Sequence, residues 1–529
     1  MIPCVIHEDD HLLVVNKPAG MNTHAPSPHA GEGIYDWLRH REPRWASLAI
    51  IHRLDKETSG VIVFSRTNLA NRSLTEQFER RTVQKKYVFL TDRPVREREL
   101  NVATAIVRVG EKYVSRPLHA TGERAETLFR VVGSSSGRTT VEAEPLTGRT
   151  HQIRVHAAAS GFPILGDVLY GGTSADRVCL HAGQIVFRHP ATGKEVTFAV
   201  PVDFSADARV LLRSAVIDSG ATDAYRLIHG ASDGWPGWYV DRLGDFLLSQ
   251  SERELNDSQR ETLAVLLKQL SLRGAYHKIL TRELRKASPA QASPKKGLGC
   301  DAPDDFVARE NGMSFVLRFQ EGYSVGLFLD QRDNRRRFLA NHVGAEFPLF
   351  ANSPDTAKVL NLFAYTCAFS VCAAKAGART TSVDLSKKYL EWGRRNFVLN
   401  DLDPARHDFI YGDAFDWMRR LAKKQRKFEV IVLDPPTYSQ SKGHGAFQAE
   451  KDYGELVNVA LPLLAANGVL LASTNAAKLP PERFLGQVTA AIHSTRRKVV
   501  QQHYVPQPPD FPVGRDEPAY LKTVWMRIE

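Results

Sequence analysis

In the N-terminal part of the chain, apolar residues fall in short runs, each closed by turn formers. Residues 4–20 hold the β-like run LLVV and a Lys-Pro-Ala-Gly turn. VIVFS (61–65), KYVFL (86–90) and TTVEAEPL (139–146) continue in that style, with few long helical patterns between them. This predicts a β-rich α+β region with a mixed sheet. It ends in PVDFSADARVLLRSAVIDSGATD, where a Pro-flanked strand end gives way to small and polar residues. A middle block follows and contains the Pro/Ser/Ala/Lys-rich stretch RKASPAQASPKKGLGCDAPDD (285–305), expected to be an exposed loop. From residue 355 onwards the pattern changes. Apolar strands (AKVLNLFAY, TTSVDLS, DFIYGDAF, FEVIVLDPP, GVLLAST) alternate with helical segments, as in a doubly wound parallel sheet. The expected organisation is multidomain: 1–203, a linker at 204–222, a small α+β accessory domain at 223–320, and an α/β Rossmann-like domain at 321–529.

With 529 residues, 43% hydrophobic and 24% charged, each domain can bury its own core. The formal net charge of +11 favours a polyanionic partner, since Lys and Arg contacts to phosphates release counterions. Five cysteines (Cys4, Cys179, Cys300, Cys367, Cys372) form no C-x-x-C pair and no Cys/His cluster with zinc spacing. A reducing compartment and no structural metal are expected. The N-terminus has no basic segment before its apolar run, and no stretch approaches the ~20 apolar residues of a membrane span. A cytoplasmic protein without membrane association is the expectation.

The first chemical signal is HRLDKETSG (52–60), which sets Arg53 and Asp55 two residues apart before the apolar strand VIVFS. Alone it reads as a surface turn, because Asp and Thr/Ser bond to nearby backbone there. Downstream, RTVQKKY (81–87) puts Tyr87 at the start of a strand after a basic cluster, and GRTHQIRVHAAASGFPILGDVLYGG (148–172) carries Arg149, His151, Arg154 and His156. Read as a strand, Arg154 and His156 share one face and Ile153 and Val155 the other. Together these segments, with the opening NKPAG and the closing LHAGQIVFRHPATGKEV, resemble the RluA-type pseudouridine synthases. The resemblance covers about residues 1–203 and implies isomerisation of uridine to pseudouridine in RNA. It implies that Asp55 is the catalytic aspartate, Tyr87 the ring stacked on the target base, Arg154 the ion-pair partner of Asp55, and Arg53 a support for the flipped nucleotide. The reaction breaks C1′–N1, turns the uracil and rejoins it through C5. A guanidinium beside the carboxylate keeps it ionised. A base inside a helix must be flipped out and stacked to be reached. No cofactor is expected in this half. The S4-type RNA-binding domain that precedes this domain in some relatives is not expected here, since the sequence starts directly at the catalytic segments.

In the C-terminal half, Asp384 ends the strand after VLNLFAYTC, where a carboxylate takes ribose hydroxyls. Asp413 follows the third strand and Asp434 the fourth, directly before Pro435-Pro436. Each acid could be no more than a helix N-cap, but three at successive strand ends line one cleft. There is no G-x-G-x-x-G, which makes a nicotinamide dehydrogenase the lesser reading. The pattern resembles the class I S-adenosylmethionine-dependent methyltransferases. More narrowly, GLFLDQRDNR (326–335), LNLFAYT, LDPPTYS (433–439) and AYRLIHGASDGWPGWYVDRLGD (224–245) resemble the large-subunit ribosomal RNA methyltransferases over about 220–529. The resemblance implies S-adenosylmethionine contacts from Phe363, Tyr365, Thr366, Asp384, Asp413 and Asp434, with Gln331, Arg332 and Asn334 as a cofactor-side lid. Ribosomal RNA is the implied partner, and transfer RNA the alternative. The oligomeric state is left open.

Two departures from that family matter. Tyr365-Thr366-Cys367 stands where many relatives have Tyr-Thr-Gly, so a Gly-only conformation there would put cofactor binding in doubt. Methylating C5 of cytosine requires attack at C6, normally by a cysteine just after the fifth strand. Here that segment is LLASTNAAK, and Thr474-Asn475 offers no thiol. Cys367 and Cys372 read as packing residues of the cofactor loop and its helix. Methyl transfer to nitrogen needs a lone pair, alignment and acceptors, which Asp434 and Asn475 could supply. N-methylation is therefore favoured, with guanine N7 as one option. The leading reading is a bifunctional RNA enzyme. Competing readings are a pseudouridine synthase whose other half only binds RNA, a non-catalytic ribosome-assembly factor, and a DNA or protein methyltransferase.

Overall fold

A computed structural model describes residues 2–280, 292–322, 324–441 and 445–529. The chain divides into two compact units: Met1–Ala25, Glu32–Trp37 and Ser47–Asp218 form one, and Pro26–Gly31, Leu38–Ala46 and Ser219–Glu529 the other.

The first unit is built on an eleven-stranded sheet. Its path runs Val5–Glu8, Leu12–Lys17, Ser59–Ser65, Leu180–Arg188, Gln84–Thr91, Arg138–Pro145, Glu123–Ser135, Glu99–Val109, Lys112–Arg116. Ser59–Ser65 is buried along its whole length, as its unbroken apolar run requires. It pairs parallel with Leu180–Arg188. Gly60 (φ +119°) makes that pairing possible, since a Cβ there would lie 2.3 Å from the Ala182 carbonyl oxygen.

One expectation for this unit is corrected, and one segment gains a helix. Residues 152–159, read as a strand, form the helix Gln152–Ala159, so Arg154 and His156 owe their positions to helical geometry and not to strand parity. The helix is buried on nearly all sides, and its polar residues find internal partners: Gln152 with Thr147 and Thr127, His156 with Thr104 and Thr127. A helix without a solvent face shows no amphipathic stripe. The expected linker also contains a helix, Ala208–Val216, capped by Asp207 accepting from the Arg209 N–H and burying Leu212 and Val216.

In the second unit, a five-stranded sheet runs Ala224–His229, Trp238–Leu243, Phe246–Ser251, Gly274–Ile279, Lys295–Gly299, followed by the hairpin Phe306–Glu310/Met313–Leu317. Lys295–Gly299 pairs antiparallel with Gly274–Ile279, so this end of the expected loop is an edge strand, while 285–291 lies outside the described residues. Its Lys-Lys-Gly-Leu-Gly sequence carries no alternation by which to read it. The larger sheet has the order Asp408–Tyr411, Arg379–Asp384, Lys358–Leu362, Phe428–Leu433, Leu464–Thr474, Lys522–Ile528, Val499–Val505. Five strands are parallel; Lys522–Ile528 runs antiparallel to both its neighbours, which makes the sheet mixed where a parallel one was expected. The strand order reverses beside Lys358–Leu362. In open α/β sheets ligands bind outside the carboxyl ends of the strands at such a point.

Candidate active sites

In the first unit, Asp55 is presented by a loop whose neighbours are pinned. The Thr23 hydroxyl donates to the Leu54 carbonyl (2.8 Å) and accepts from the Leu54 N–H (3.1 Å). On the other side, the buried Lys17 ammonium donates to the carbonyls of Met21 (2.6 Å), Pro18 (3.0 Å) and Lys56 (3.2 Å). Burial pulls that ammonium down to about 7, while the Asp55 charge acts in the opposite direction. Between these anchors Asp55 keeps a partly exposed carboxylate.

Arg154 Nη1 lies 3.6 Å from Asp55 Oδ2, and His151 Nε2 lies 3.8 Å from the same oxygen. The guanidinium is held from behind: Nε donates to Asp167 Oδ2 (2.7 Å) and Nη2 to Asp167 Oδ1 (2.8 Å), both residues being buried. Arg154 Nη1 has no hydrogen-bond partner among the described residues, and Glu57 Oε2 is 3.5 Å away. Tyr170 completes the wall. Its ring centroid is 5.1 Å from the Arg154 guanidinium carbon, and its hydroxyl hydrogen-bonds His151 Nδ1 at 2.8 Å. Although buried, Arg154 has its pKa raised by Asp167, Asp55 and Glu57, which leaves it charged. Tyr87, half-buried and paired with Ala182 and Ala143, is pushed up by burial and then by the Asp55 charge. Arg53 is exposed. Sequence reasoning singled out neither Asp167, Tyr170, Lys17 nor Thr23. Asp167 was legible in principle, as an acid within the same long motif as Arg154.

In the second unit, Asp384, Asp413 and Asp434 stand at three strand ends of the larger sheet. Asp384 accepts from the N–H groups of Tyr365 and Ser386, each at 2.8 Å, and burial raises its pKa. Asp413 caps the helix Ala414–Lys423, accepting from the Asp416 N–H at 3.1 Å. The turn between Lys358–Leu362 and the helix Ala368–Lys375 has positive φ at Phe363 (59°), Tyr365 (48°) and Cys367 (60°). Cys367 (ψ 28°) lies in the left-handed well open to L-residues, not in a Gly-only region. Its side chain fits because helix residue 393 is glycine: a Cβ there would come within 2.5 Å of Cys367 Sγ. Thr366 is buried, its hydroxyl donating to the Gly326 carbonyl at 2.6 Å. The apolar side chains of Phe328, Leu385 and Tyr411 are exposed near the same strand ends.

Asp434 follows Phe428–Leu433 and accepts from the Gln331 amide N–H₂ at 3.1 Å. Burial, then the negative charge of Asp330, pushes its carboxyl up to about 7. Asn475 is exposed and accepts from the Thr437 hydroxyl at 2.8 Å, which ties the segment after Leu464–Thr474 to the Asp-Pro-Pro loop. The Tyr453 hydroxyl lies 2.8 Å from the Leu433 carbonyl and 2.9 Å from that of Ser473, and accepts from the Ser473 N–H.

Gln331, Arg332 and Asn334, expected as a lid, are all buried. Arg332 is paired with Asp510, and Asn334 Oδ1 accepts from the Trp525 indole N–H at 3.0 Å. Only Gln331 reaches an acid of the cleft. A guanidinium and two amides without solvent need such fixed partners.

Residues 225–527 match the S-adenosylmethionine-dependent methyltransferase family. Over 320 residues the chain is 32% identical to the Ribosomal RNA large subunit methyltransferase I of Aeromonas salmonicida, covering 60% of this chain and 77% of that protein. The chain belongs to the S-adenosylmethionine-dependent methyltransferase family. Residues 11–159 match the RNA pseudouridylate synthase family and constitute a domain of that kind ahead of the methyltransferase. Here the chain is 37% identical over 213 residues to the Ribosomal large subunit pseudouridine synthase C of Yersinia pestis, covering 38% of this chain and 66% of that protein. A methyltransferase structure complexed with SAH is similar at TM-score 0.51 and 28% identity, over 65% of this chain and 87% of that one. A SAM-dependent methyltransferase from Streptococcus mutans aligns at TM-score 0.50, also with 28% identity.

The methyltransferase half suits this cofactor on its own chemistry. Two carboxylates stand at adjacent strand ends near exposed apolar side chains, acceptors and apolar surface fitted to a nucleoside's hydroxyls, amine and flat ring. No helix among the described residues is long and apolar enough to cross a membrane.

Proposed function

We propose that the chain is a bifunctional enzyme that modifies large-subunit ribosomal RNA, with Asp55 serving uridine isomerisation and Asp434 serving methyl transfer to a base nitrogen. The observation that carries the first activity is the Arg154 guanidinium, locked on Asp167 and directed at Asp55. A fixed cation beside a partly exposed carboxylate orients it and offsets its charge, which suits it to act as nucleophile or base. Tyr87 would stack on the flipped uracil, and exposed Arg53 would help hold the flipped nucleotide.

For the second activity, Asp384 would hold the ribose hydroxyls of S-adenosylmethionine and Asp413 the adenine amine, with Phe363 and Tyr365 beside them. The cofactor, when bound, supplies an electrophilic methyl group. Asp434 and Asn475 would accept hydrogen bonds from the target base and so align its nitrogen. Cys4, Cys179, Cys367 and Cys372 are buried, and Thr474-Asn475 brings no thiol to the cleft, which supports N-methylation over C5 chemistry. Ribosomal RNA as substrate is supported by the names of the relatives matched in both halves.

The test is nucleoside mass spectrometry of ribosomal RNA from cells lacking the gene, complemented with full-length D55A or D434N. D55A is expected to abolish one pseudouridine and leave the methylation; D434N should do the reverse. Finding 5-methylcytosine as the methylated product would overturn the nitrogen assignment.

A further inference from the structure

Behind Asp434, a chain of side-chain amides runs to an indole. The buried Trp525 Nε1, which can only donate, gives its proton to Asn334 Oδ1 at 3.0 Å. That leaves the Asn334 N–H₂ to face the other way, toward Gln331 Oε1 (2.7 Å) and Thr523 Oγ1 (3.4 Å). With its oxygen thus engaged, the Gln331 N–H₂ must point forward, to Asp434 Oδ2 at 3.1 Å and Ser473 Oγ at 2.8 Å. Gln331, Asn334 and Trp525 are each 2% exposed or less, so no solvent competes for these orientations. A primary amide can present either edge; the direction of this one is dictated from one end, by a group that has no acceptor.

We infer that Asn334 and Trp525 are positioning residues for methyl transfer: through Gln331 they aim two N–H donors at the Asp434–Ser473 end of the cleft and so favour ionised Asp434. This rests on the reading of Asp434 as the group that meets the substrate base. Donors facing a carboxylate stabilise its charged form, and a carbonyl oxygen facing it would favour the protonated one. Among the described residues, the other titratable groups that act on or respond to Asp434 are Asp330 on the turn Leu329–Gln331, Arg335 on the helix Arg332–Ala340 and Tyr453 on the helix Ala449–Ala460. Asp330 opposes ionisation and Arg335 favours it, although Arg335 is itself bound to Glu310 (2.6 and 2.7 Å). The Gln331 amide is the neutral partner whose sign depends on which way it faces.

The substitution N334D removes the amide donor but adds a carboxylate whose own charge also opposes ionisation of Asp434. The uncharged W525F separates the two effects: an unmoved acid limb in W525F overturns the inference whatever N334D does. An aspartate at 334 still accepts from Trp525 but has no N–H for Gln331. The Gln331 amide then turns to donate backwards and sets its oxygen against Asp434. The test uses the full-length chain, tritiated S-adenosylmethionine and large-subunit ribosomal RNA from cells lacking the gene. Methyl transfer is followed from pH 5.5 to 9, with S-adenosylmethionine affinity measured by calorimetry. N334D is expected to move the acid limb of kcat up by about one pH unit, with the rate at pH 7 falling roughly fivefold or more and cofactor affinity changing less than about threefold. W525F, which frees Asn334 to turn, should shift the limb in the same direction by less. A wild-type pH profile in W525F would overturn the inference while D434N remains inactive. Full methyl transfer by D434N would instead remove the reading on which it rests. Should N334D lose cofactor binding altogether, W525F decides: an unmoved acid limb there overturns the relay.

Discussion

Arg154 commits two nitrogens to Asp167 and turns the third toward Asp55, so the orientation of the Arg154–Asp55 pair depends on the buried Asp167. Replacing Asp167 with alanine leaves a buried guanidinium without its main counter-charge. D167A is expected to destabilise the synthase unit by about 3–5 kcal/mol in urea denaturation. It should also slow pseudouridine formation by about a hundredfold, measured as tritium release from C5-labelled uridine in RNA. Asp434 has a different effect on stability. Its carboxyl pKa is raised from the ordinary 3.8 to about 7, so the folded chain holds that proton more tightly than the unfolded chain does. The stability penalty is absent below about pH 4, grows as pH rises toward 7, and is complete above it. D434N removes it while keeping an oxygen for the Gln331 amide. The melting temperature should therefore rise at pH 8.5, by the equivalent of about 2–4 kcal/mol, and change little at pH 4.5. A rise equal at both pH values would mean that the carboxylate carries no such penalty.

At the scale of elements, the turn from Phe363 to Cys367 shows how far sequence could be read. The positions were legible, because a strand, a turn and a small-residue helix follow one another; the compensation for a cysteine in place of glycine was not, since it sits some twenty-six residues away at Gly393. A methyl group at 393 would strike Cys367 Sγ at 2.5 Å and Cβ at 2.9 Å. G393A should therefore cost about 2 kcal/mol or more and weaken S-adenosylmethionine binding in calorimetry, while C367G/G393A should recover most of both. The helix Gln152–Ala159 failed for the opposite reason. Its Ile153 and Val155 alternate with Arg154 and His156 as in a strand, and only the internal partners of Gln152 and His156 explain how polar residues can surround a helix. Patterning reports solvent, and this helix has almost none. The Asp55 loop was readable because its chemistry is contiguous in sequence. The Trp525–Asn334–Gln331 chain of hydrogen bonds was not, because Trp525 lies far from the other two in sequence and the set is defined only by what its members touch.

On the scale of the whole molecule, apolar burial is partitioned. One set of clusters gathers Phe89, Phe129 and Ile153, and another Leu12, Val63 and Ile185, all in the synthase unit. In the second unit, Phe246, Tyr276 and Phe306 of the smaller sheet region share one core with Phe338, Val359 and Trp525 of the methyltransferase. The block at 223–320 is thus bonded into the methyltransferase by its own interior. Calorimetric melting of the full chain should show two transitions, and S-adenosylmethionine at about a hundred times its dissociation constant should stabilise only one of them, by about 2.7 kcal/mol. A shift of both would mean that the two cores unfold together.

The Tyr453 hydroxyl occupies the place where the ladder between Phe428–Leu433 and Leu464–Thr474 gives out after Leu433 and Ala472. One phenol serves as a spacer there, answering two carbonyls and an N–H that the strands would otherwise have to offer each other. The spacing of these two strand ends is thereby gauged by a side chain borne on a separate helix. A change at that one codon could widen or narrow the opening for a different nucleobase, leaving both strands and every acid of the cleft as they are.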